Sequence, residues 1–267
     1  MARDEQRLLV EEGTILRGTV GSTVHGLHHG GQDDRDEMAI FLEPPEFVIG
    51  LRVAKSGRTW GRFEHYVERT QPEGARSGPG DLDLVAYSLR KWLRLAVAGN
   101  PTVLLLLFSP REALLVCTER GAALRELAPT IVSRKAGPRF LGYMRAQKER
   151  LIGTRGQRNV NRPELIEAHG FDTKYAMHVA RLGLQGIELL STGRLTLPMP
   201  EPDRARVMAI RRGDVPLDEA LAEIDDIERR LLAAVEASPL REEPDYESVN
   251  AFLIETYRRR WGWDESG

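Results

Sequence analysis

Cysteine, long apolar runs and net charge are all scarce in this sequence, and each scarcity excludes a class of protein. Cys117 is the one cysteine in 267 residues, which excludes an internal disulfide and a zinc site made of several cysteines. The longest apolar run, Val103 to Phe108, falls far short of the roughly 20 residues of a membrane-spanning helix. The 38 basic and 40 acidic side chains nearly cancel, so no overall field draws the chain to nucleic acid or to a membrane. A nucleic-acid substrate would need a local basic patch.

The sequence also shows no secretion signal, internal repeat or low-complexity segment. The charged segment Ala2 to Glu5 is not followed by the apolar region that a signal peptide needs. Apolar residues make up 41% and charged residues 29% of the chain, an ordinary globular composition with enough length to bury a core. We therefore expect a soluble, cytoplasmic protein without a membrane partner.

Residues that can carry chemistry concentrate between Gly21 and Ile40. The β-branched run Thr14 to Val20 predicts a strand that leads into the Gly21-Ser22 dipeptide. Asp34 and Asp36 open a second apolar run, and residues two apart on a strand point to the same face. Two neighbouring carboxylates repel each other unless a cation lies between them. Hard oxygen ligands beside a glycine-rich turn indicate Mg²⁺ and a phosphate.

This stretch resembles the signature of DNA polymerase β-type nucleotidyltransferases, and most closely a bacterial and phage branch of predicted nucleotidyltransferases. The pattern of that branch, Gly-Ser-x-x-x-Gly followed by Asp-x-Asp, is matched by Gly21, Ser22, Gly26, Asp34 and Asp36. The resemblance spans most of residues 14 to 225 and continues through Asp83 to Lys91, Gly99 to Thr102, Lys174 to Arg181, Glu188 to Gly193 and Leu197-Pro198.

The resemblance implies that three carboxylates, Asp34, Asp36 and Asp83, hold two Mg²⁺ or Mn²⁺ ions in the manner of two-metal phosphoryl transfer. Two alternatives stay open. Asp33 stands where the branch usually has Ser, in a turn one residue longer, so one alternative is a pair that includes Asp33. Strand alternation favours Asp34 with Asp36. Asp81 shares a strand face with Asp83 and is the alternative third ligand.

The resemblance also implies the contacts of the nucleoside triphosphate. Gly21 and Ser22 would open a short helix that grips the β- and γ-phosphates, and Lys91, Lys174 or Arg181 would neutralise the leaving pyrophosphate. Lys174, His178 and Arg181 recur at helical spacing and share one helix face. That face either meets the triphosphate or is the solvent side of a structural helix.

Two further stretches have competing interpretations. His25, His28 and His29 either form a zinc site or, as the default, belong to a loop that touches nucleotide or solvent. Residues 55 to 80 are rich in arginine and aromatic residues, and they form either an ordinary connection or a basic flap over the site.

The fold class that follows is α/β (α+β), with an N-terminal catalytic domain of residues 1 to 128 that contains a short mixed sheet. A helical domain of residues 129 to 267 would supply a substrate- and nucleotide-binding wall. Among the single elements, Phe47 to Leu51 is predicted as extended and Phe63 to Glu68 as a strand. A long helix, Lys174 to Thr192, is predicted to be capped by Asp172 or Thr173 and ended by Gly193. The other predicted helices named here are Leu89 to Ala98, Leu114 to Leu127, Pro163 to His169, Asp203 to Arg212 and Tyr246 to Trp261.

We therefore expect a metal-dependent enzyme that moves a nucleoside monophosphate from an NTP to an acceptor hydroxyl and releases pyrophosphate. An RNA end is the favoured acceptor, for example in tRNA repair. A protein adenylyltransferase of the toxin–antitoxin type and a catalytically silent nucleotide-binding regulator are the alternatives.

Overall fold

The computed structural model describes residues 1–28, 35–56, 59–72, 74–75, 77–78, 80–153 and 162–263. The chain divides into two compact units. Unit 1 combines residues 1–96, 105–131 and 245–267, and unit 2 combines residues 97–104 and 132–244. The predicted division into domains at residue 128 stays a prediction.

The first part of the chain alternates helices and strands. Its elements are α1 (Arg3–Gly13), β1 (Thr14–Thr19), α2 (Gly21–His25), β2 (Arg35–Phe41), α3 (Pro45–Val48), β3 (Ala54–Ser56), β4 (Thr59–Gly61), β5 (His65–Arg69), β6 (Leu82–Ser88), α4 (Leu89–Val97), α5 (Pro101–Phe108), a 3-10 helix (Arg111–Ala113), β7 (Leu114–Cys117), α6 (Glu119–Glu126) and α7 (Ala128–Ile131). The remainder is helical: α8 (Ala136–Leu151), α9 (Pro163–His169), α10 (Thr173–Thr192), α11 (Asp203–Arg212), α12 (Leu217–Ala237) and α13 (Tyr246–Trp261). This order confirms the predicted fold class.

Unit 1 is built on a five-stranded mixed sheet with the strand order β5-β6-β2-β1-β7. Strands β2 and β6 pair in parallel, and the other neighbours pair antiparallel. The central strand β2 is buried from Met38 to Phe41, as expected for a strand covered on both faces. The aromatic rings of Phe41, Phe47 and Phe63 pack in sequence, with centroid distances of 5.1 and 5.7 Å. The sheet therefore rests on a tightly packed core that fixes its register.

Two predicted elements of unit 1 are wrong. Phe47 to Leu51 is not extended, because Pro45 begins the short helix α3, which ends at Val48. Leu114 to Leu127 is not one helix, because Leu114–Cys117 pairs with β1 as strand β7. The Thr118 side chain then accepts a hydrogen bond from the Gly121 N–H and starts α6. The pairing of β7 with β1 and the cap at Thr118 thus split a segment whose apolar residues have helical spacing into a strand and a helix.

Unit 2 is organised around the 20-residue helix α10, whose two ends were correctly predicted from the sequence. Asp172 caps its first turn, and Gly193 ends it in the left-handed conformation with φ +73°. Gly183 allows a close approach of α12, because a Cβ there would lie 2.2 Å from Ile227 Cγ2. The helices of unit 2 therefore pack through small residues on the buried face of α10.

Within the described part of the chain, no helix alone has the length and apolar character of a membrane span, although α4 and α5 reach it jointly across a 108° bend.

Candidate active site

Two predicted metal ligands, Asp36 and Asp83, lie side by side on the central strands of unit 1. They are direct Cα partners in the parallel register of β2 and β6. Partners on neighbouring strands project their side chains to the same face, and the strands are about 4.8 Å apart. Asp34 and Asp33 lie outside the described residues, as does His29. The structure thus brings together two of the three predicted carboxylates.

The predicted phosphate-binding dipeptide lies directly against one of these carboxylates. Gly21 begins α2 with φ +71°, and a Cβ at this position would lie 2.1 Å from Asp36 Oδ2. The N–H of Val20 donates a 2.8 Å hydrogen bond to the Asp36 carbonyl. Ser22 follows in the first turn of α2. A glycine is required here because both the backbone conformation and the space beside Asp36 exclude a side chain.

The Asp83 carboxylate has one satisfied and one unsatisfied oxygen. Its Oδ2 accepts a 3.1 Å hydrogen bond from Arg69 Nε on β5, where Arg69 is the register partner of Asp83. Its Oδ1 is buried and has no hydrogen-bond partner among the described residues. A buried carboxylate oxygen without a partner is costly unless a ligand satisfies it. A divalent cation between Asp36 and Asp83 fits this oxygen, since Mg²⁺ and Mn²⁺ prefer carboxylate ligands.

Asp83 and Asp81, the two candidates for the third carboxylate, differ in their hydrogen bonds. The Asp81 carboxylate is used in a turn, where it accepts hydrogen bonds of 3.0 Å from Thr70 Oγ1 and 2.8 Å from the Gly78 N–H. Its backbone carbonyl accepts a 2.7 Å hydrogen bond from the Arg35 N–H. Asp81 therefore stabilises the turn before β6, while Asp83 lies beside Asp36. No group of three or more metal-ligating side chains is found in the described ranges, which do not include Asp34.

Glu37 is a site-building residue that the sequence analysis missed. It is buried, and its carboxylate accepts from Arg17 Nε at 2.6 Å and from Arg35 Nη2 at 3.2 Å. It lies on the opposite face of β2 from its neighbour Asp36. An acidic residue within an apolar strand is a visible signal in the sequence, but its partners depend on strand register. This ion pair fixes the strand that carries Asp36.

The structure does not bring Lys91 to the carboxylates. Its N–H donates to Ser88 Oγ at 3.3 Å in the first turn of α4. Ser88 is five positions along β6 from Asp83, a distance of about 17 Å. Lys91 instead lies near His65, whose pKa is lowered by burial and by the Lys91 charge. Its predicted role in nucleotide binding stays a prediction without a contact at this site.

The other predicted site residues that the structure describes lie on or next to α2 and on α10. His25 is buried in the last turn of α2 and is not part of a solvent-exposed loop, whereas His28 is exposed. Both interpretations of the three histidines as a group stay predictions. Lys174, His178 and Arg181 lie on α10 in unit 2, where the Arg181 Nη2 is 3.5 Å from His178 Nδ1. Burial lowers the pKa of His178 well below its usual value, and the charges of Arg181, Lys174, Arg162 and Arg211 lower it further. The sequence analysis did not place Arg162 and Arg211 with them.

Comparison with known proteins identifies a family. A family model, RlaP, described as the RNA repair pathway DNA polymerase beta family, matches residues 3–255. None of the curated proteins compared with the chain matches it.

Proposed function

The chain belongs to the RNA repair pathway DNA polymerase beta family, and on that premise we propose that it transfers a nucleoside monophosphate from an NTP to a hydroxyl at an RNA end. The family assignment makes it a nucleotidyltransferase-type enzyme. The metal requirement, the nucleotide and the RNA acceptor belong to the proposal. In the proposed reaction the acceptor hydroxyl loses its proton to water and its oxygen bonds to the α-phosphorus. The bond from that phosphorus to the oxygen that bridges to the β-phosphate breaks, and pyrophosphate leaves with the electron pair of that bond.

The observation that carries this proposal is the pairing of Asp36 with Asp83 beneath the Gly21-Ser22 turn. Asp36, Asp83 and, from the sequence, Asp34 would hold the divalent cations. Such ions, when bound, lower the pKa of an attacking hydroxyl and neutralise phosphate charge. The unpartnered Oδ1 of Asp83 supports the assignment of this residue as the third ligand.

The residues of the chain itself would orient the reactants. The absence of a side chain at Gly21 lets the start of α2 lie directly against the Asp36 carboxylate, and the Ser22 hydroxyl can donate a hydrogen bond to a phosphate held there. Glu37 holds β2 in place through Arg17, and Arg69 holds one oxygen of Asp83 so that the other stays available. Precise orientation of this kind is the larger part of catalysis in phosphoryl transfer.

The test is the transfer of label from α-³²P NTPs to RNA with a free 3′-hydroxyl, in Mg²⁺ or Mn²⁺. We expect Asp36→Asn and Asp83→Asn each to lower the rate at least about a hundredfold, which is ~2.7 kcal/mol in the barrier. Asp81→Asn is the matched control, an aspartate directly before the same strand, and should stay within about tenfold of the wild type.

Three outcomes contradict the proposal in different ways. A labelled protein band without labelled RNA would show a protein acceptor, as in an adenylyltransferase. NTP binding without pyrophosphate release would show a silent nucleotide-binding protein. Equal activity in wild type and Asp36→Asn would place the reaction at another site.

A further inference from the structure

The cationic side chains of helix α8 in unit 2 differ in whether they are paired. Arg145 Nε donates to Glu228 Oε1 on α12 at 2.6 Å, and Lys148 Nζ lies 3.5 Å from the other oxygen of that carboxylate. Arg139 and Arg150 are exposed, and their guanidinium groups form no ion pair or hydrogen bond with another residue that the structure describes. Two cations therefore join α8 to α12, and two are available to a ligand.

The two unpaired arginines lie at the ends of a groove on one side of α8. Helical spacing places Arg139, Tyr143 and Arg150 on the same face of the helix. Between them Gly142 leaves open space, because a Cβ there would have nothing within 4 Å. The resulting cavity of about 350 Å³ is within the range of roughly 300–1,000 Å³ that is usual for small-ligand sites. We call it the α8 groove and define it by Arg139, Gly142, Tyr143, Gln147 and Arg150.

The Tyr143 ring is exposed in this groove, and its hydroxyl group is fixed. Asn100 Nδ2 donates to Tyr143 Oη at 3.0 Å, and Asn100 Oδ1 in turn accepts from the Thr102 N–H at 2.9 Å in the first turn of α5. These contacts orient the ring before a ligand arrives, which lowers the entropy cost of binding. An exposed and oriented aromatic ring is a surface on which a nucleic-acid base can stack.

Gln147 adds a hydrogen-bond acceptor to the groove. It is spaced three and seven residues from the buried Met144 and Phe140, so it lies where the groove meets the buried side of α8. Its Oε1 is buried and has no hydrogen-bond partner among the described residues. A buried acceptor of this kind is costly unless a ligand supplies a donor. The exocyclic amino group of a nucleobase is such a donor.

We propose that the α8 groove binds a single strand of RNA. One base stacks on Tyr143 and donates a hydrogen bond from its amino group to Gln147 Oε1, while Arg139 and Arg150 contact phosphates on either side. These two arginines are 11 residues apart in the sequence, which is about 16 Å along the helix. Cations spread in this way match a phosphodiester strand, with one charge per phosphate, better than the concentrated charge of a triphosphate. The choice of RNA rests on the proposed function, whereas strand binding itself does not require transfer.

The first experiment measures the binding of a labelled oligocytidine of about ten nucleotides to the full chain by fluorescence anisotropy, at several salt concentrations, with EDTA and without NTP. We expect Arg139→Gln and Arg150→Gln each to weaken binding about tenfold. Each should also reduce the slope of log Kd against log salt concentration by about 0.7, the value for one lost phosphate contact on a single strand. Arg194→Gln is the matched control, because Arg194 is an exposed arginine of unit 2 outside the groove. Thermal melts check that each variant is folded.

The second experiment tests the contacts with the base. Tyr143→Ala should weaken binding about tenfold or more, whereas Tyr143→Phe keeps the ring and should retain most of the affinity. Cytosine carries an amino group where uracil carries a carbonyl oxygen, so the wild type should bind oligocytidine about fivefold more tightly than oligouridine. Gln147→Leu should remove this preference without lowering the melting temperature, because the lost acceptor forms no hydrogen bond within the described protein.

Several results would overturn the proposal. Unchanged affinity and salt slope in folded Arg139→Gln and Arg150→Gln would show that the arginines do not contact the strand. An equal loss in Arg194→Gln would show that the effect is general surface charge. Equal affinity of the wild type for both oligomers, or tighter binding of the same strand within a duplex, would show that no base enters the groove. A lower melting temperature in Gln147→Leu with an unchanged preference would make Gln147 a structural residue.

Failure of the proposed function is distinguishable from failure of this proposal. The titrations contain neither NTP nor free metal, so an absence of label transfer counts against the proposed function only.

Discussion

Gly21 provides a test of the active site at the scale of one residue. Its φ of +71° disfavours any side chain, and a Cβ would also lie 2.1 Å from Asp36 Oδ2. Gly170 has a similar φ of +80°, but a Cβ there would have nothing within 4 Å. Gly21→Ala and Gly170→Ala should each destabilise the fold by about 1 kcal/mol, as measured by denaturant unfolding. Only Gly21→Ala should also abolish label transfer, because only it displaces Asp36.

Equal activity of the two alanine variants would mean that the position of the Asp36 carboxylate does not matter for the reaction. A loss of folding in Gly21→Ala alone would leave the catalytic role to be tested with Asp36→Asn.

Single residues also mark the limit of prediction from the sequence. The family resemblance predicted Asp83 as the carboxylate that joins Asp36, and it left Asp81, on the same predicted strand face, as an alternative. Strand register decides between them, and it depends on contacts far apart in the chain. Arg162 and Arg211 were not grouped with Lys174 because they come from different segments, and helical periodicity detects only neighbours on one helix.

At the scale of elements, α13 is joined to the sheet of unit 1 through a buried carboxyl group. Tyr257 Oη donates to Glu43 Oε2, and Trp261 Nε1 donates to the Glu43 carbonyl at 3.0 Å. Burial raises the pKa of Glu43 to about 7, even though the hydrogen bonds from Tyr257 and Ser88 act in the opposite direction. The neutral carboxyl is therefore the form that the folded protein favours.

This pKa predicts the direction of one part of the pH dependence of stability. Since the folded-state pKa lies above the ordinary value of 4.5, the contribution of Glu43 is full below about pH 4.5 and is lost as the pH rises through about 7. The loss amounts to about 3 kcal/mol. Urea unfolding at pH 5 and pH 8 should show this fall in the wild type relative to Glu43→Gln, which keeps the shape without the charge. The same pH dependence in both proteins would contradict the assignment.

Helices with local end signals were the best-predicted elements. The predicted ranges 163–169, 203–212 and 246–261 agree with α9, α11 and α13, whose caps and stops lie within a few residues of each end. The strand β7 was missed because its pairing with β1 is a contact across about a hundred residues of chain, which no local pattern records. Helix α13 was predicted by position and length, but nothing in its sequence indicates that it packs in unit 1.

At the scale of the whole molecule, the last segment of the chain belongs to the same unit as the first. Truncation of the chain after Pro244, which removes residues 245–267, would expose the surfaces covered by Val249, Thr256 and Tyr257, which are buried in unit 1. We expect this truncation to lower the melting temperature by more than about 8 °C, which corresponds to a loss of several kcal/mol in a chain of this size. Removal of residues 264–267 alone is the control and should leave melting unchanged. Equal melting of both truncated proteins would mean that α13 contributes nothing to unit 1.

The return of α13 to unit 1 also sets an order of events during translation. The ribosome releases the strands that carry Asp36 and Asp83 early, then the whole of unit 2, and only at the end the helix that carries Tyr257 and Trp261. A nascent chain holds these two carboxylates long before it holds the last helix of unit 1. A polypeptide released early from a broken message would therefore contain Asp36 and Asp83 in a unit without its last helix.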